Sequence, residues 1–184
     1  HQALVRARVL VGCKQVGSAF EQVRASVLGR ERDLPTLRQE VSEMRAKMRD
    51  NLGTRITAAG LGENAFEATV PFDLKQDAGG IVDIEFMVQY ATLAWARDYP
   101  QLLRFTDNIR ILEGLEEAGL MPAADASLLR EAYKAFRAVA HRQALQKEAG
   151  VVTGDQFVVE RQNVRRIWSE LGLGPVSQNT ELKL

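Results

Sequence analysis

The sequence has one cysteine in 184 residues, Cys13, so no internal disulfide can form. A disulfide-stapled fold is excluded, and the chain reads as intracellular and cytoplasmic. Its two histidines, His1 and His141, have no second ligand at metal-site spacing, so no metal site is expected. Neither sign of charge is in excess, since 24 Lys and Arg meet 24 Asp and Glu. A nucleic-acid module, whose affinity rests on surplus positive charge, is therefore not expected. No membrane span is expected either, because no apolar run approaches roughly 18 residues. The longest, around Ile81–Ala96, carries Asp83, Glu85 and Gln89. GxSxG, P-loop, HExxH and CxxC motifs are missing, as is an Asp-x-Asp pair of the kind that holds two Mg²⁺ ions for nucleotidyl transfer.

What the sequence does have is apolar residues, 46% of the total, at helical spacing. This is enough for one domain with a sizeable core. Leu4, Ala7 and Val11 predict a first short helix, broken near residues 12–14. Val16, Phe20, Val23 and Val27 predict the buried face of a second, stopped at Gly29. Asp33 and Pro35 open a third, whose stripe is Leu34, Leu37, Val41, Met44, Met48 and Leu52, with Glu43 and Lys47 paired on the other face. Residues 53–78 read as a long loop with a short extended piece at Phe66–Val70. From Gly80 to Asp98 the apolar residues go nearly all the way round, which predicts a central helix. Thr106 or Asp107 caps the next, closed by Gly119. A long helix through Leu129, Tyr133 and Phe136 ends at Gly150, and a last one runs from Gln156 to Leu171. The expected fold is an all-α bundle of six or seven helices over residues 1–174, with little or no sheet and a disordered tail over 175–184. The chain opens on His1 as if already inside a helix, and reads as a piece of a longer protein.

One segment stands out for chemistry, from Phe72 through Asp73-Leu74-Lys75-Gln76-Asp77-Ala78-Gly79-Gly80-Ile81-Val82-Asp83-Ile84-Glu85-Phe86. It sets a glycine pair at a helix start, a lysine just before it and two acids in the first turns. Unsatisfied N–H groups and the dipole favour an anion there, and glycines allow close approach. Lys75, Gly79 and Gly80 are thus candidate phosphate contacts. The plain alternative is a capped helix start, with Asp77 as the cap and the glycines allowing close packing. Asp83 and Glu85 lie about 200° apart around a helix, so they cannot pair on a metal. One should face the bundle, and a buried Glu85 would need an arginine or Lys75 as partner. The clusters Arg161-Arg165-Arg166 and Arg6-Arg8, and His141, carry weaker signals.

The same segment resembles the signature of the glutamine synthetase adenylyltransferase family, whose sister family, PII uridylyltransferase, has a related helical region. Further matches run through Gln2-Ala3-Leu4…Arg6-Ala7-Arg8, Glu40-Val41…Met44-Arg45…Met48-Arg49, Asp107-Asn108-Ile109-Arg110-Ile111-Leu112 and His141…Ala144-Leu145-Gln146, about residues 2–171 in all. The wording Phe72–Asp77 is similar to the C-terminal, adenylylating half of this duplicated enzyme, and Ala78 departs from a common proline. The resemblance implies a helical accessory or regulatory domain of an enzyme that moves AMP from ATP to a tyrosine of glutamine synthetase with Mg²⁺. It implies regulation by PII protein and by glutamine as an effector. The family's catalytic acids lie in a nucleotidyltransferase fold upstream of this region, so no catalytic residue is assigned here. The piece alone is expected to be inactive and to bind neither ATP nor Mg²⁺. Lys75, Gly79 and Gly80 would face the nucleotide, with Asp83 or Glu85 fixing the contact with the upstream nucleotidyltransferase domain. The competing expectation is a module that binds PII, glutamine or glutamine synthetase without touching nucleotide. A third, PII uridylyltransferase, would carry further domains after this region.

Overall fold

The centre of the molecule is the helix that the all-round apolar pattern predicts. In the computed structural model, which describes residues 1–53 and 70–174, it spans Ile81–Trp95 (α4) and buries eleven of its fifteen residues. Around it stand α1 (Gln2–Arg6), α3 (Leu34–Leu52), α5 (Asn108–Glu117), α6 (Ala123–Leu145) and α7 (Val158–Glu170), each packed against it. A second helix, α2 (Lys14–Leu28), lies beside α1 and the 3₁₀ turn Pro100–Leu103. The described residues thus form seven α-helices and one pair of two-residue strands, β1 (Phe72–Asp73) and β2 (Val151–Val152). The strands are antiparallel, with Phe72 opposite Val152 and Asp73 opposite Val151. The all-α expectation holds. The expected piece at Phe66–Val70 and the tail 175–184 fall outside the described residues, apart from Val70, as does most of the long loop over 53–78.

Local chemistry sets the helix ends. The Asp33 carboxylate accepts from the Thr36 amide at 3.0 Å and its hydroxyl at 2.5 Å, which opens α3. Asp107 does the same for α5, accepting from the Arg110 amide at 3.0 Å. After α5 the chain turns at Gly119, whose φ of +69° suits a residue without Cβ, and the Leu120 amide bonds back to the Leu115 carbonyl. The Thr36 hydroxyl and amide hold the Asp33 carboxyl below its ordinary range. A depressed folded-state value gives stability that is present above the unfolded value and lost as pH falls through the folded one. Asp33→Ala is therefore expected to lower the thermal midpoint at pH 7. The gap from the parent chain should narrow as pH drops below the carboxylate range, which melting curves from pH 7 to 3 would check.

Several helix faces differ from the expectation. The first helix ends at Arg6, so Ala7 and Val11 are not helical, and Val11 is almost fully exposed. On α2 the buried residues are Arg24 and Leu28, while Val16 and Val23 of the expected stripe face solvent. The reason is Arg24. Its guanidinium donates to the carbonyls of Leu4 (2.9 Å), Val5 (3.0 Å) and Leu103 (2.8 Å), and so turns that side of α2 inward. Arg32 plays a related part, donating to the Val27 and Leu28 carbonyls at the end of α2 (both 2.8 Å) and to Leu93 at 3.2 Å. On α3, Leu37 and Val41 are buried as expected, but the stripe continues through Arg45, and Met44 and Leu52 are exposed. Glu43 accepts from Gln39 at 2.9 Å. The long helix α6 closes at Gln146 instead of Gly150, which is freed to pair with the loop before α4.

Candidate functional site

The segment 72–85 begins in β1 and turns sharply into α4. Asp73 starts the turn, its carboxylate accepting from the amides of Lys75 (2.8 Å) and Gln76 (2.9 Å). Asp77 reaches back to accept from the Asp73 amide at 2.8 Å, so it braces the turn and does not cap α4. The Leu74 amide donates to the Gly150 carbonyl at 2.9 Å, tying the loop to β2. At the start of α4 the Gly80 amide bonds to Asp77 O, Ile81 to Leu74 O and Val82 to Lys75 O. The Gly79 amide donates to the Asp83 carboxylate at 2.6 Å. Four consecutive N–H groups at this helix start are therefore engaged within the chain.

Asp83 is the hub. It is 2% exposed, and its second oxygen accepts from Arg45 Nε at 2.5 Å. Arg45 is fully buried and also donates to the carbonyls of Gln76 (2.7 Å) and Asp77 (3.4 Å). Burial pushes the Arg45 guanidinium down from its ordinary value, and the charge and hydrogen bond of Asp83 oppose this. One buried pair thus clamps the loop, the start of α4 and α3 together. From the other side α7 closes on the same loop. Arg165 donates to Ala78 O at 3.1 Å, and the Arg161 guanidinium lies 4.1 Å from the centroid of the Phe72 ring. Gly79, with a φ of +87°, sits so close to α7 that a Cβ there would stand 2.7 Å from the Arg161 carbonyl oxygen. A Cβ on Gly80 would stand 2.7 Å from Leu74 O. Both glycines are buried, whereas Lys75 is exposed. Of the three candidate phosphate contacts, Lys75 has its polar group open to a ligand.

Glu85 lies on the opposite side of α4, as the 200° offset requires. Its carboxylate accepts from Arg6 Nη1 and from the Tyr133 hydroxyl, both at 3.2 Å. Arg6 Nη1 also reaches Asn108 Oδ1 at 3.4 Å, and Arg137 donates to the Tyr133 hydroxyl at 3.3 Å. The acid that faces the core is thus Asp83, with Arg45 as its partner, while Glu85 joins α1, α4, α5 and α6 at a partly open surface. Among the described residues no group of three His, Cys, Asp or Glu is arranged to hold a metal ion. No helix there is long and apolar enough to cross a membrane.

Sequence reasoning missed Arg45, Arg161 and Arg165 as parts of this site. For Arg45 a signal existed, because Leu37, Val41 and Arg45 are spaced by four and share one helix face. The contacts of Arg161 and Arg165 bridge loop to α7 over more than 80 residues and leave no local trace.

A family model described as GlnD PII-uridylyltransferase matches residues 42–178, and so takes in this loop, α4, α7 and the part of α3 that carries Arg45. The chain is 78% identical over 173 residues, 94% of its length, to a protein of Pseudomonas syringae named bifunctional glutamine synthetase adenylyltransferase/adenylyl-removing enzyme. Identity to proteins of the same name is 76% in Pseudomonas putida and 72% in Pseudomonas aeruginosa, over 94% and 95% of the chain. The chain spans 18% of the length of each of these curated relatives. With the clamped loop inside the matched region, this chain belongs to the family described as GlnD PII-uridylyltransferase, and it is similar over nearly its whole length to a segment of the bifunctional glutamine synthetase adenylyltransferases.

Proposed function

We propose that residues 1–174 form one helical accessory domain of a cytoplasmic enzyme that transfers AMP from ATP to a tyrosine of glutamine synthetase, and so controls nitrogen assimilation. The observation that carries this is the 72–78% identity, over at least 94% of the chain, to segments of enzymes named for that transfer. Those names also favour adenylyl over uridylyl transfer. ATP and Mg²⁺ would be reagents of the whole enzyme. Among the described residues no group of three His, Cys, Asp or Glu is arranged to hold Mg²⁺, so its ligands would lie elsewhere in the whole enzyme. The domain's own part is to present Lys75 to the nucleotide phosphates from a turn that Asp73, Asp77, Asp83 and Arg45 hold rigid. Gly79 and Gly80 serve that site by letting the turn lie against α7. Glu85, tied to Arg6 and Tyr133, supports the contact with the upstream nucleotidyltransferase domain. Lys75→Ala in the full-length enzyme is expected to weaken ATP binding and AMP transfer about tenfold, the loss of one charge-assisted contact. Unchanged ATP affinity and unchanged transfer to glutamine synthetase would remove Lys75 from the nucleotide site.

A second reading keeps the same parent enzyme but makes this domain a regulatory surface for PII, glutamine or glutamine synthetase. The closed amides at Gly79–Val82 and the solvent-facing Val16 and Val23 of α2 favour it. It separates from the first in the Lys75 experiment, because it leaves ATP affinity untouched.

A further inference from the structure

Five of the ten large apolar side chains that stand exposed among the described residues lie on residues 9–23, while the other five are spread over α3, α6 and α7. Leu10 and Val11 are 79% and 93% exposed, Val16 and Val23 are 69% and 61%, and Val9 is 43%. They form one surface. Val9 lies against Gly17, where a Cβ would stand 3.4 Å from its Cγ1. A hollow of about 350 Å³ is lined jointly by Val9, Leu10, Val11, Val16 and Phe20. Along α2, Val16, Phe20, Val23 and Val27 recur at spacings of four, three and four, the seam of a helix that packs against another helix. Arg24 keeps that seam outward, because it fixes the adjoining face of α2 on the carbonyls of Leu4, Val5 and Leu103. By helix spacing the seam is flanked by Gly17, Ala19 and Ser26, and the buried Arg24 is the one charged side chain of α2 beside it.

The size of the surface decides between occupants. At roughly 100 Å² of apolar surface per side chain, the five offer about 300–400 Å². That is the size of a functional patch, but under half of the ~800 Å² that each copy gives to a stable dimer. A face of this size holds a partner firmly when the partner is tethered, because linkage supplies an effective concentration in the millimolar range. The relatives have such a tether, since the chain spans 18% of their length. We propose that the face over residues 9–27 seats an uncharged apolar helix from the remainder of the same full-length enzyme. The inference rests on the reading of this chain as one domain of that enzyme. The spacing of the seam asks of the partner apolar side chains three and four residues apart, and Gly17, Ala19 and Ser26 let its backbone come close. Covered in this way, the face is closed to a separate regulator.

Cys13 stands exposed on the same hollow and serves as the probe. Iodoacetamide is reacted with the 184-residue chain and with the full-length enzyme, and the peptide that carries Cys13 is followed by mass spectrometry. Expected is labelling about tenfold or more slower in the full-length enzyme, with amide exchange over α2 slowed alongside. Val16→Asp together with Val23→Asp in the full-length enzyme should bring labelling back to the rate of the 184-residue chain. Leu145→Asp, at a similarly exposed apolar residue on α6, should not. Both valines face solvent, so the 184-residue chain with the Asp pair should keep its circular dichroism spectrum and thermal midpoint, which separates lost docking from lost folding. Equal labelling in the two proteins would leave the face open and overturn the proposal. Protection that survives the Asp pair would overturn it too, and so would a 184-residue chain that dimerises through this face and shields its own Cys13. None of these readouts involves ATP, so failure of the Lys75 experiment leaves this result standing, and the reverse.

Discussion

Arg45→Met is expected to destabilise the chain by about 3–5 kcal/mol, the cost of leaving a buried carboxylate without its cation. For a chain of this size that lowers the thermal midpoint by roughly 10 °C. The substitution strands Asp83, which is 2% exposed, and removes the donor to the Gln76 and Asp77 carbonyls. The pair also explains the position of the loop, so the loss should be local as well as global. Amide exchange at Gly79, whose N–H is held by Asp83, should speed up more than exchange in α6. A double-mutant cycle with Asp83→Asn separates pair from packing. The two single changes should each cost several kcal/mol, while the double should cost much less than their sum. Additive losses would mean that Arg45 acts through its contacts with the loop carbonyls alone.

Gly79→Ala should be nearly as costly, about 2–5 kcal/mol, from two sources. A φ of +87° strains any residue with a Cβ by about 1–2 kcal/mol, and overpacking adds about 1–3 kcal/mol. The new methyl would meet the Arg161 carbonyl oxygen at 2.7 Å and its Cα at 3.1 Å, and backbone cannot swing aside. Gly119 supplies the control. Its φ is +69°, but a Cβ there meets nothing within 4 Å, so Gly119→Ala should cost only the strain. Urea denaturation of both variants measures the difference, which is the worth of the close approach between loop and α7. Equal costs at the two glycines would contradict that approach.

How much of this was legible in the sequence varies with the range of the forces. The all-round apolar pattern of 81–95 named the central helix, because burial on every side needs no knowledge of which neighbour covers which face. The caps at Asp33 and Asp107 were readable for a similar reason, since each bond spans three residues. Asp77 was a plausible cap on the same rule, yet the turn begun by Asp73 bends it backward onto the Asp73 amide. On α2 the apolar stripe predicts the buried face, and the guanidinium of Arg24 reverses it. That arginine satisfies carbonyls 19, 20 and 79 residues away, which local periodicity cannot contain. For the candidate site, sequence marked the glycines, Lys75 and the two acids. It could not assign the cation for Asp83, because Arg45 lies 38 residues upstream. The engaged amides of Gly79–Val82 were hidden for the same reason. They depend on the turn's path, and the path depends on Gly150 and α7.

On the proposed function, a rigid turn in this helical domain would present Lys75 to the nucleotide of a larger enzyme. Calorimetric titration of ATP–Mg²⁺ tests it most directly, on this 184-residue chain, on the full-length enzyme, and on the full-length enzyme with Lys75→Ala. Expected is no binding by the chain alone, clear binding by the whole enzyme, and about tenfold weaker binding by the variant. Binding by the whole enzyme that is indifferent to Lys75 would contradict the claim and leave the domain as a regulatory surface.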